Sequence, residues 1–379
     1  MTDTLLRTAF RRGLSAPICL SWEWTYGCNL QCVHCLSSSG RTDPRELTTD
    51  QLCRTADELA AMGTFYVNVG GGEPMVRPDF FPVLEHTLAT GMGVKFSTNG
   101  TLITRDAARR LARLPRLDLQ VSLDGADQWT NDAVRGRGSY AAARRAMTRL
   151  ADAGLTNFKI SVVLTRHNAG QLDRYRELAA AHGAVLRLTR LRPSGRGATA
   201  WHELRPDQAQ QRAVHRWLVD HPEVLTGDSL FHLSALGRQL PGLGMCGAGR
   251  LVCLIDPLGD VYACPFTLHP EFRAGSVTDP GGFAAVWEHS ELFESLRGPG
   301  ESGACASCPA FDTCGGGCPA AKFFTGLPLD GPDPECVLGH GESLLPAAAS
   351  QAPAVGPGHS GRGRRTLPLL QEGPACARG

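Results

Sequence analysis

Short apolar, β-branched and aromatic runs alternate with longer amphipathic stretches through the first half of the chain. Residues 18–25, Phe65–Val69, Val94–Thr98, Leu117–Leu123, Phe158–Thr165 and Val185–Leu191 have the length and composition of strands. Between them, stretches near 49–62, 104–114, 139–153 and 169–182 repeat apolar positions with helical spacing. The alternation makes six β–α units and predicts an α/β fold, a parallel sheet curled into a partial (β/α)6 barrel. In barrels of this kind the carboxyl ends of the strands form the active face. Polar residues gather there: Ser97-Thr98-Asn99, Ser122 with Asp124-Gly125, Ser161, and Arg190 with Arg192. Ser, Asn and Asp at strand ends also serve as ordinary turn residues. Beyond residue 240 the periodicity gives way to a cysteine-rich stretch in which little regular structure is expected. The chain thus divides into an N-terminal extension (1–14), a barrel (15–235), a cysteine-rich domain (240–345) and a tail (346–379). The tail is rich in Ala, Gly, Pro and Ser, with Arg362, Arg364 and Arg365, and is expected to be disordered.

Chemistry enters just after the first strand, in Tyr26-Gly27-Cys28-Asn29-Leu30-Gln31-Cys32-Val33-His34-Cys35. The spacing C-x3-C-x2-C supplies three thiolates. A structural zinc site takes four ligands, usually as two C-x2-C pairs. A four-iron cubane held by three thiolates keeps one iron free to bind something that is not protein. The second strand runs into Gly70-Gly71-Gly72-Glu73-Pro74, where glycines permit close backbone approach to a ligand and the main chain is able to receive an amino group.

Cys246, Cys253, Cys264, Cys305, Cys308, Cys314, Cys318 and Cys336 crowd into the second half. Nothing in the sequence marks the chain for export, so disulfides are a poor explanation. Iron–sulfur clusters or a pair of zinc ribbons would each use eight thiols. Cys253 fits two roles: a fourth ligand, or a small apolar residue packed in Arg250-Leu251-Val252-Cys253-Leu254-Ile255. Of the 14 cysteines, Cys19 and Cys53 read as core or helix-face residues, and Cys376 lies in the tail. A formal charge of +1 gives no broad electrostatic footprint for nucleic acid, and no apolar run is long enough to span a bilayer. Met1 to Arg12 carries three arginines but lacks the apolar core and cleavage site of a signal peptide. A cytoplasmic enzyme is expected, with neither nucleic acid nor membrane as partner.

On Cys28, Cys32, Cys35 and Gly71-Gly72-Glu73-Pro74, residues 15–225 resemble the radical S-adenosylmethionine (SAM) enzymes, with His34 in the ring-bearing position before the last cysteine. The resemblance implies that the free iron chelates SAM, that one electron from the reduced cluster cleaves a carbon–sulfur bond, and that a 5'-deoxyadenosyl radical is released. It implies that Gly71, Gly72, Glu73 and Pro74 meet the methionine amino group. Ser97, Asn99, Ser122, Asp124, Ser161 and Arg192 are the strand-end positions expected near SAM. The spacing Cys246, Gly259, Cys264, then Cys305 to Cys318, then Cys336, resembles the SPASM extension of peptide-modifying enzymes. That implies two auxiliary [4Fe-4S] clusters, hence three in all. Cys305, Cys308, Cys314 and Cys336 would hold one; Cys246, Cys264 and Cys318, with Cys253 as the open case, would hold the other.

Ala16-Pro17-Ile18-Cys19-Leu20, Cys35-Leu36-Ser37-Ser38-Ser39-Gly40, Leu191 to Gly197 and Ala321 to Pro332 are similar to the mycofactocin maturase family, over about residues 10–340. This resemblance implies a precursor peptide ending in valine and tyrosine, oxidative decarboxylation of the tyrosine, and a carbon–carbon crosslink from the valine β-carbon. It implies an external low-potential electron donor. Only 27 residues precede Cys28, too few for a leader-gripping winged helix, so a separate small leader-binding protein is expected. No general base is identified; Arg192, Asp124 and Lys322 are candidates by location, with salt bridges as the alternative. Two rival classes remain: another SPASM maturase, forming thioether or carbon–carbon bonds or oxidising a sulfatase residue, and a non-enzymatic zinc-ribbon or multi-cluster electron-transfer protein.

Overall fold

The computed structural model describes residues 13–226, 230–241, 246–297, 305 and 307–353. Met1 to Arg12 and the chain from 354 on, including Cys376, lie outside the described residues.

All six expected units form. They run β1 (Cys19–Thr25), α1 (Thr49–Ala61), β2 (Tyr66–Gly71), α2 (Phe80–Ala89), β3 (Gly93–Thr98), α3 (Arg105–Ala112) and β4 (Leu117–Ser122). Two helices, α4 (Gln128–Arg135) and α5 (Ser139–Asp152), precede β5 (Lys159–Leu164), followed by α6 (Leu172–Ala181) and β6 (Val185–Arg190). Two more follow, α7 (Arg196–Leu204) and α8 (Gln208–Asp220). Local signals set these boundaries. Thr48 and Gln51 form a reciprocal capping box at the start of α1, an arrangement in which the cap is worth about 1 kcal/mol. Asp127 caps α4, and Gly136, with φ of 104°, ends it.

Strands β1 to β6 lie parallel in sequence order, as βαβ crossovers require. Their two faces differ sharply in polarity. Leu20, Trp22, Val67, Val69, Phe96, Leu119, Val121, Ile160 and Val162 are fully buried in the core formed with the helices. The alternate positions carry Ser21, Asn68, Lys95, Ser97, Gln120, Ser122, Lys159, Ser161 and Arg187, and the register aligns them: Ser21 with Asn68, Asn68 with Lys95, Ser97 with Gln120, Ser122 with Ser161, Ser161 with Arg187. One face of the sheet is therefore greasy and covered, the other polar.

The cysteine-rich half is only partly irregular. β7 (Val252–Ile255) pairs parallel to β1, and β8 (Asp260–Tyr262) and β9 (Arg273–Ser276) add antiparallel strands, making one sheet in the order β6-β5-β4-β3-β2-β1-β7-β8-β9. Helices α9 (Gly282–His289) and α10 (Glu291–Arg297) follow, and Trp287 and Phe293 join the main core. Only beyond residue 305 does the chain become short helices and turns: α11 (Phe311–Cys314), α12 (Pro319–Phe324) and α13 (Leu345–Ala348). Ordered structure extends past the expected boundary at 346, because Leu345 and Ala348 are buried against Trp201 and Leu327.

Candidate functional site

The loop after β1 carries Cys28, Cys32 and Cys35, and its path is set by the backbone. Gly40 N–H donates to the Tyr26 carbonyl (2.8 Å), Cys28 N–H to that of Gly40 (3.0 Å), and Glu73 N–H to that of Gly27 (2.9 Å). A Cβ on Gly72 would lie 1.9 Å from the Gly27 carbonyl oxygen, so the segment after β2 packs against the cysteine loop only as glycine. On the other side, Arg196 donates from Nε to the Cys32 carbonyl (2.9 Å) and from Nη1 to that of Ser39 (2.7 Å).

A buried ionic clamp lies under this loop. Asp124 Oδ2 is in ion-pair contact with the His34 ring (Nε2, 2.7 Å) and the Arg135 guanidinium (Nε, 2.6 Å), and its Oδ1 accepts from the Val163 N–H (2.7 Å). Burial raises the carboxyl's pKa, but Arg135 and His34 outweigh it and hold Asp124 down at about 2. The carboxylate's role here is to join the cysteine loop to α4 and β5. Arg135 also reaches within 4.0 Å of Cys32 Sγ. Burial pushes the Cys28 thiol up to about 11 and the Cys32 thiol to about 12, with Cys35 adding to both.

The other expected positions divide. Asn99 lies at this loop: its Nδ2 donates to Asn29 Oδ1 (2.9 Å) and sits 4.0 Å from Cys28 Sγ. Glu73 is buried, and its carboxylate is taken by Asn99 N–H (2.7 Å) and Thr98 Oγ1 (3.0 Å), tying β2 to β3; burial lifts it to about 7. Its main chain, with that of Gly71, Gly72 and Pro74, forms the rim beside the cysteine loop. Ser97, Ser122 and Ser161 stand on the polar face; Ser97 accepts from Gln120 Nε2 and Ser161 from Arg187 (3.5 Å). Arg192 points elsewhere, its guanidinium 4.7 Å from the Phe266 ring centroid and near Cys246, whose pKa burial raises against a small opposing influence of that guanidinium. Lys322 is buried, with Nζ donating to the Leu329 carbonyl (2.9 Å).

Two further groups of thiols form in the second half. Cys305, Cys308, Cys314 and Cys336 line one cavity, together with His232, Phe311, Gly316 and Asp333. Cys246 and Cys318 pack with Phe231 and Phe266; Cys264, pushed up to about 12 by burial, has these two thiols as its next largest influences. Cys253 is placed in β7 opposite Leu20, inside the main core, and its first neighbouring charges are Cys19 and Arg297. Among the described residues no three His, Cys, Asp or Glu side chains converge at the spacing of a single metal ion. The donor set suits iron–sulfur groups: three thiols at the head of the sheet, and four around a cavity, matching an open and a closed cubane.

The strap that closes the four-thiol cavity is ionic. Arg190, at the end of β6, donates from Nη1 to Asp333 Oδ2 (2.9 Å), from Nη2 to Asp333 Oδ1 and from Nε to Glu335. Asp333 also receives the Cys318 N–H (2.7 Å). All three side chains are buried. Arg135, His232, Asp333 and Glu335 went unread in the sequence; the α4 cap at Asp127 was the one local signal, and the rest are contacts between distant segments.

Residues 22–179 match the Radical SAM superfamily, and residues 246–309 match SPASM, an iron–sulfur cluster-binding domain. The chain is 58% identical over 371 residues to the mycofactocin maturase MftC of Mycolicibacterium smegmatis, covering 97% of this chain and 95% of that protein. It is 60% identical over 359 residues to that of Mycobacterium ulcerans, covering 94% and 97%. Among solved structures, Streptococcus suis SuiB bound to S-adenosylmethionine has a TM-score of 0.70 at 18% identity, covering 88% of this chain and 80% of SuiB. SuiB bound to its precursor peptide SuiA has a TM-score of 0.68 at 17% identity, covering 88% and 78%. The likeness to SuiB is one of fold.

Proposed function

The chain belongs to the mycofactocin maturase family of radical SAM enzymes with a SPASM domain, and from that premise we propose that it modifies a ribosomally made precursor peptide ending in Val-Tyr. Oxidative decarboxylation of the tyrosine comes first, and a bond from the valine β-carbon to the resulting alkene follows. The observation that carries the reading is one frame holding two unlike thiol sets, three at the head of β1 and four around the cavity lined by Cys305, Cys308, Cys314 and Cys336.

When bound, SAM and the iron–sulfur groups supply a 5'-deoxyadenosyl radical and a place for electrons to go. The chain's own part is to hold and exclude. The rim at Gly71 to Pro74 offers main-chain groups to the methionine amino group, and Asn99 and Asn29 flank Cys28. The polar face, with Ser97, Ser122 and Ser161, is the side of the sheet on which SAM would lie. The helix-covered opposite face keeps stray hydrogen donors in a fixed, dry core. The tyrosine gives up one β-hydrogen atom, one electron and its carboxyl group as carbon dioxide, with the carboxyl proton, so the peptide loses the mass of formic acid. The crosslink is an isomerisation and adds no mass change.

We assign Cys28, Cys32 and Cys35 to the SAM cluster, Cys305, Cys308, Cys314 and Cys336 to one auxiliary cluster, and Cys246, Cys264 and Cys318 to the other. Cys253, seated in β7, belongs to the core in this reading. A small leader-binding protein and an external low-potential reductant complete the system. No helix among the described residues is long and apolar enough to cross a membrane, and a cytoplasmic site of action is part of the proposal.

Incubating a Val-Tyr-ending precursor with SAM, a low-potential reductant and the small partner tests this by mass spectrometry. Loss of formic acid is expected, then a product of unchanged mass that resists alkene reagents. Absence of carbon dioxide loss under every condition would move the chain to another SPASM chemistry, and full conversion without the partner would place leader recognition on this chain.

A further inference from the structure

His232 shares the four-thiol cavity with Cys305, Cys308, Cys314 and Cys336. It comes from a different part of the chain, the 3-10 segment Phe231–Leu236 that follows α8. The side chain is 4% exposed, and its Nδ1 is buried with no hydrogen-bond partner. An orphaned buried polar atom is costly, and native structures rarely leave one without a reason. The cavity's other polar side chains do not explain it. Asp333 gives its carboxylate to Arg190 and the Cys318 N–H, and His340 is exposed at the edge.

Neutral or protonated, an imidazole carries at least one N–H donor. Thiolate and sulfide sulfurs are acceptors only, so a group placed in this cavity gives the donor its missing partner. Hydrogen bonds to cluster sulfurs favour the more negative, reduced state and raise the potential.

We propose that His232 is a positioning residue for the auxiliary cluster of Cys305, Cys308, Cys314 and Cys336, its imidazole N–H donating a hydrogen bond to a cluster sulfur and raising that cluster's reduction potential. The proposal rests on the four-cysteine assignment made above. It gives that cluster a built-in means of accepting an electron more readily than thiolate ligation alone would allow.

The test uses the full-length, anaerobically reconstituted protein with ¹⁵N-labelled histidine, reduced and examined by pulsed electron paramagnetic resonance alongside a redox titration. A weak ¹⁵N coupling to one auxiliary cluster is expected, absent in His232→Gln. The cluster's potential is expected to shift negative in His232→Phe and to return most of the way in His232→Gln, which keeps an N–H donor. An uncoupled wild-type cluster would overturn the proposal, as would an unchanged potential in His232→Phe. A strong coupling, diagnostic of a direct iron–nitrogen bond, would overturn it too, by making His232 a ligand. Should His232→Phe fail to hold the cluster, the wild-type coupling and His232→Gln still decide. Failure of the four-cysteine assignment shows separately, as a Cys314→Ala protein that keeps the wild-type iron content.

Discussion

The two thiol-bearing regions are built by opposite means. At the head of β1 three cysteines come from one loop of eight residues, shaped by backbone: Gly72 fits where a Cβ would strike the Gly27 carbonyl, and the Asp124 clamp secures the loop from below. In the second half the cavity's cysteines come from residues 305 to 336, and the histidine among them from before β7. What joins those segments to the barrel is a buried charge cluster, Arg190 with Asp333 and Glu335. Local sequence gathers the thiols of the first site, while Gly72, Asp124 and Arg196 fix its path from elsewhere in the fold. The second depends on the barrel being folded before its lining is complete, since its anchoring arginine ends β6.

Breaking that anchor should have the largest effect. Arg190→Met leaves two carboxylates buried without their cation, a change that costs about 3–5 kcal/mol. The expected outcome is a large drop in the denaturation midpoint and loss of the iron held by Cys305, Cys308, Cys314 and Cys336, while the Cys28 loop still binds its cluster. Equal iron loss from both regions would mean that they are not independently anchored.

The clamp under the first loop is worth less and has a pH signature. Asp124 is held at about 2 against an ordinary 3.8, a difference corresponding to roughly 2 kcal/mol. A depressed carboxyl stabilises the fold above its unfolded pKa and loses that contribution as pH falls. The advantage of wild type over Asp124→Asn in urea unfolding of the metal-free protein should therefore be constant from neutral pH down to about 4, then shrink toward pH 2. An advantage that grows on acidification would contradict the clamp.

The smallest effect sharpens the boundary between the regions. Cys253 sits in β7 opposite Leu20, fully buried, so Cys253→Ala should cost only about 1 kcal/mol and leave the iron content unchanged. Loss of one cluster's iron would make Cys253 a ligand after all.

The barrel was legible because its signals are local. Strand runs, the C-x3-C-x2-C spacing and the Gly-Gly-Glu-Pro turn each fit within a few residues, and each appears where the sequence predicts. Glu73 and Asp124 fall on the expected strand ends, yet their carboxylates hold neighbouring elements together, a role set by partners that only folding brings near. Arg190 meets Asp333 across 143 residues and Glu335 across 145. No periodicity marks such a pair. Likewise α4 is a short polar helix whose contacts, Arg135 and Asn131 with Asp124 and the Val134 carbonyl with the Val33 N–H, join distant segments. Arg250 to Ile255 reads as a strand that seats Cys253, but its pairing with β1 joins segments far apart in the chain and leaves no local signal.

The proposed division of labour puts SAM cleavage at the three-cysteine loop and makes completion of the peptide chemistry depend on the distal thiols. Quantifying 5'-deoxyadenosine and decarboxylated peptide together, in a single reaction of Cys314→Ala with the precursor, its partner, SAM and reductant, tests it most directly. 5'-Deoxyadenosine should still form while decarboxylated peptide does not; decarboxylation at the wild-type rate would rule this division out.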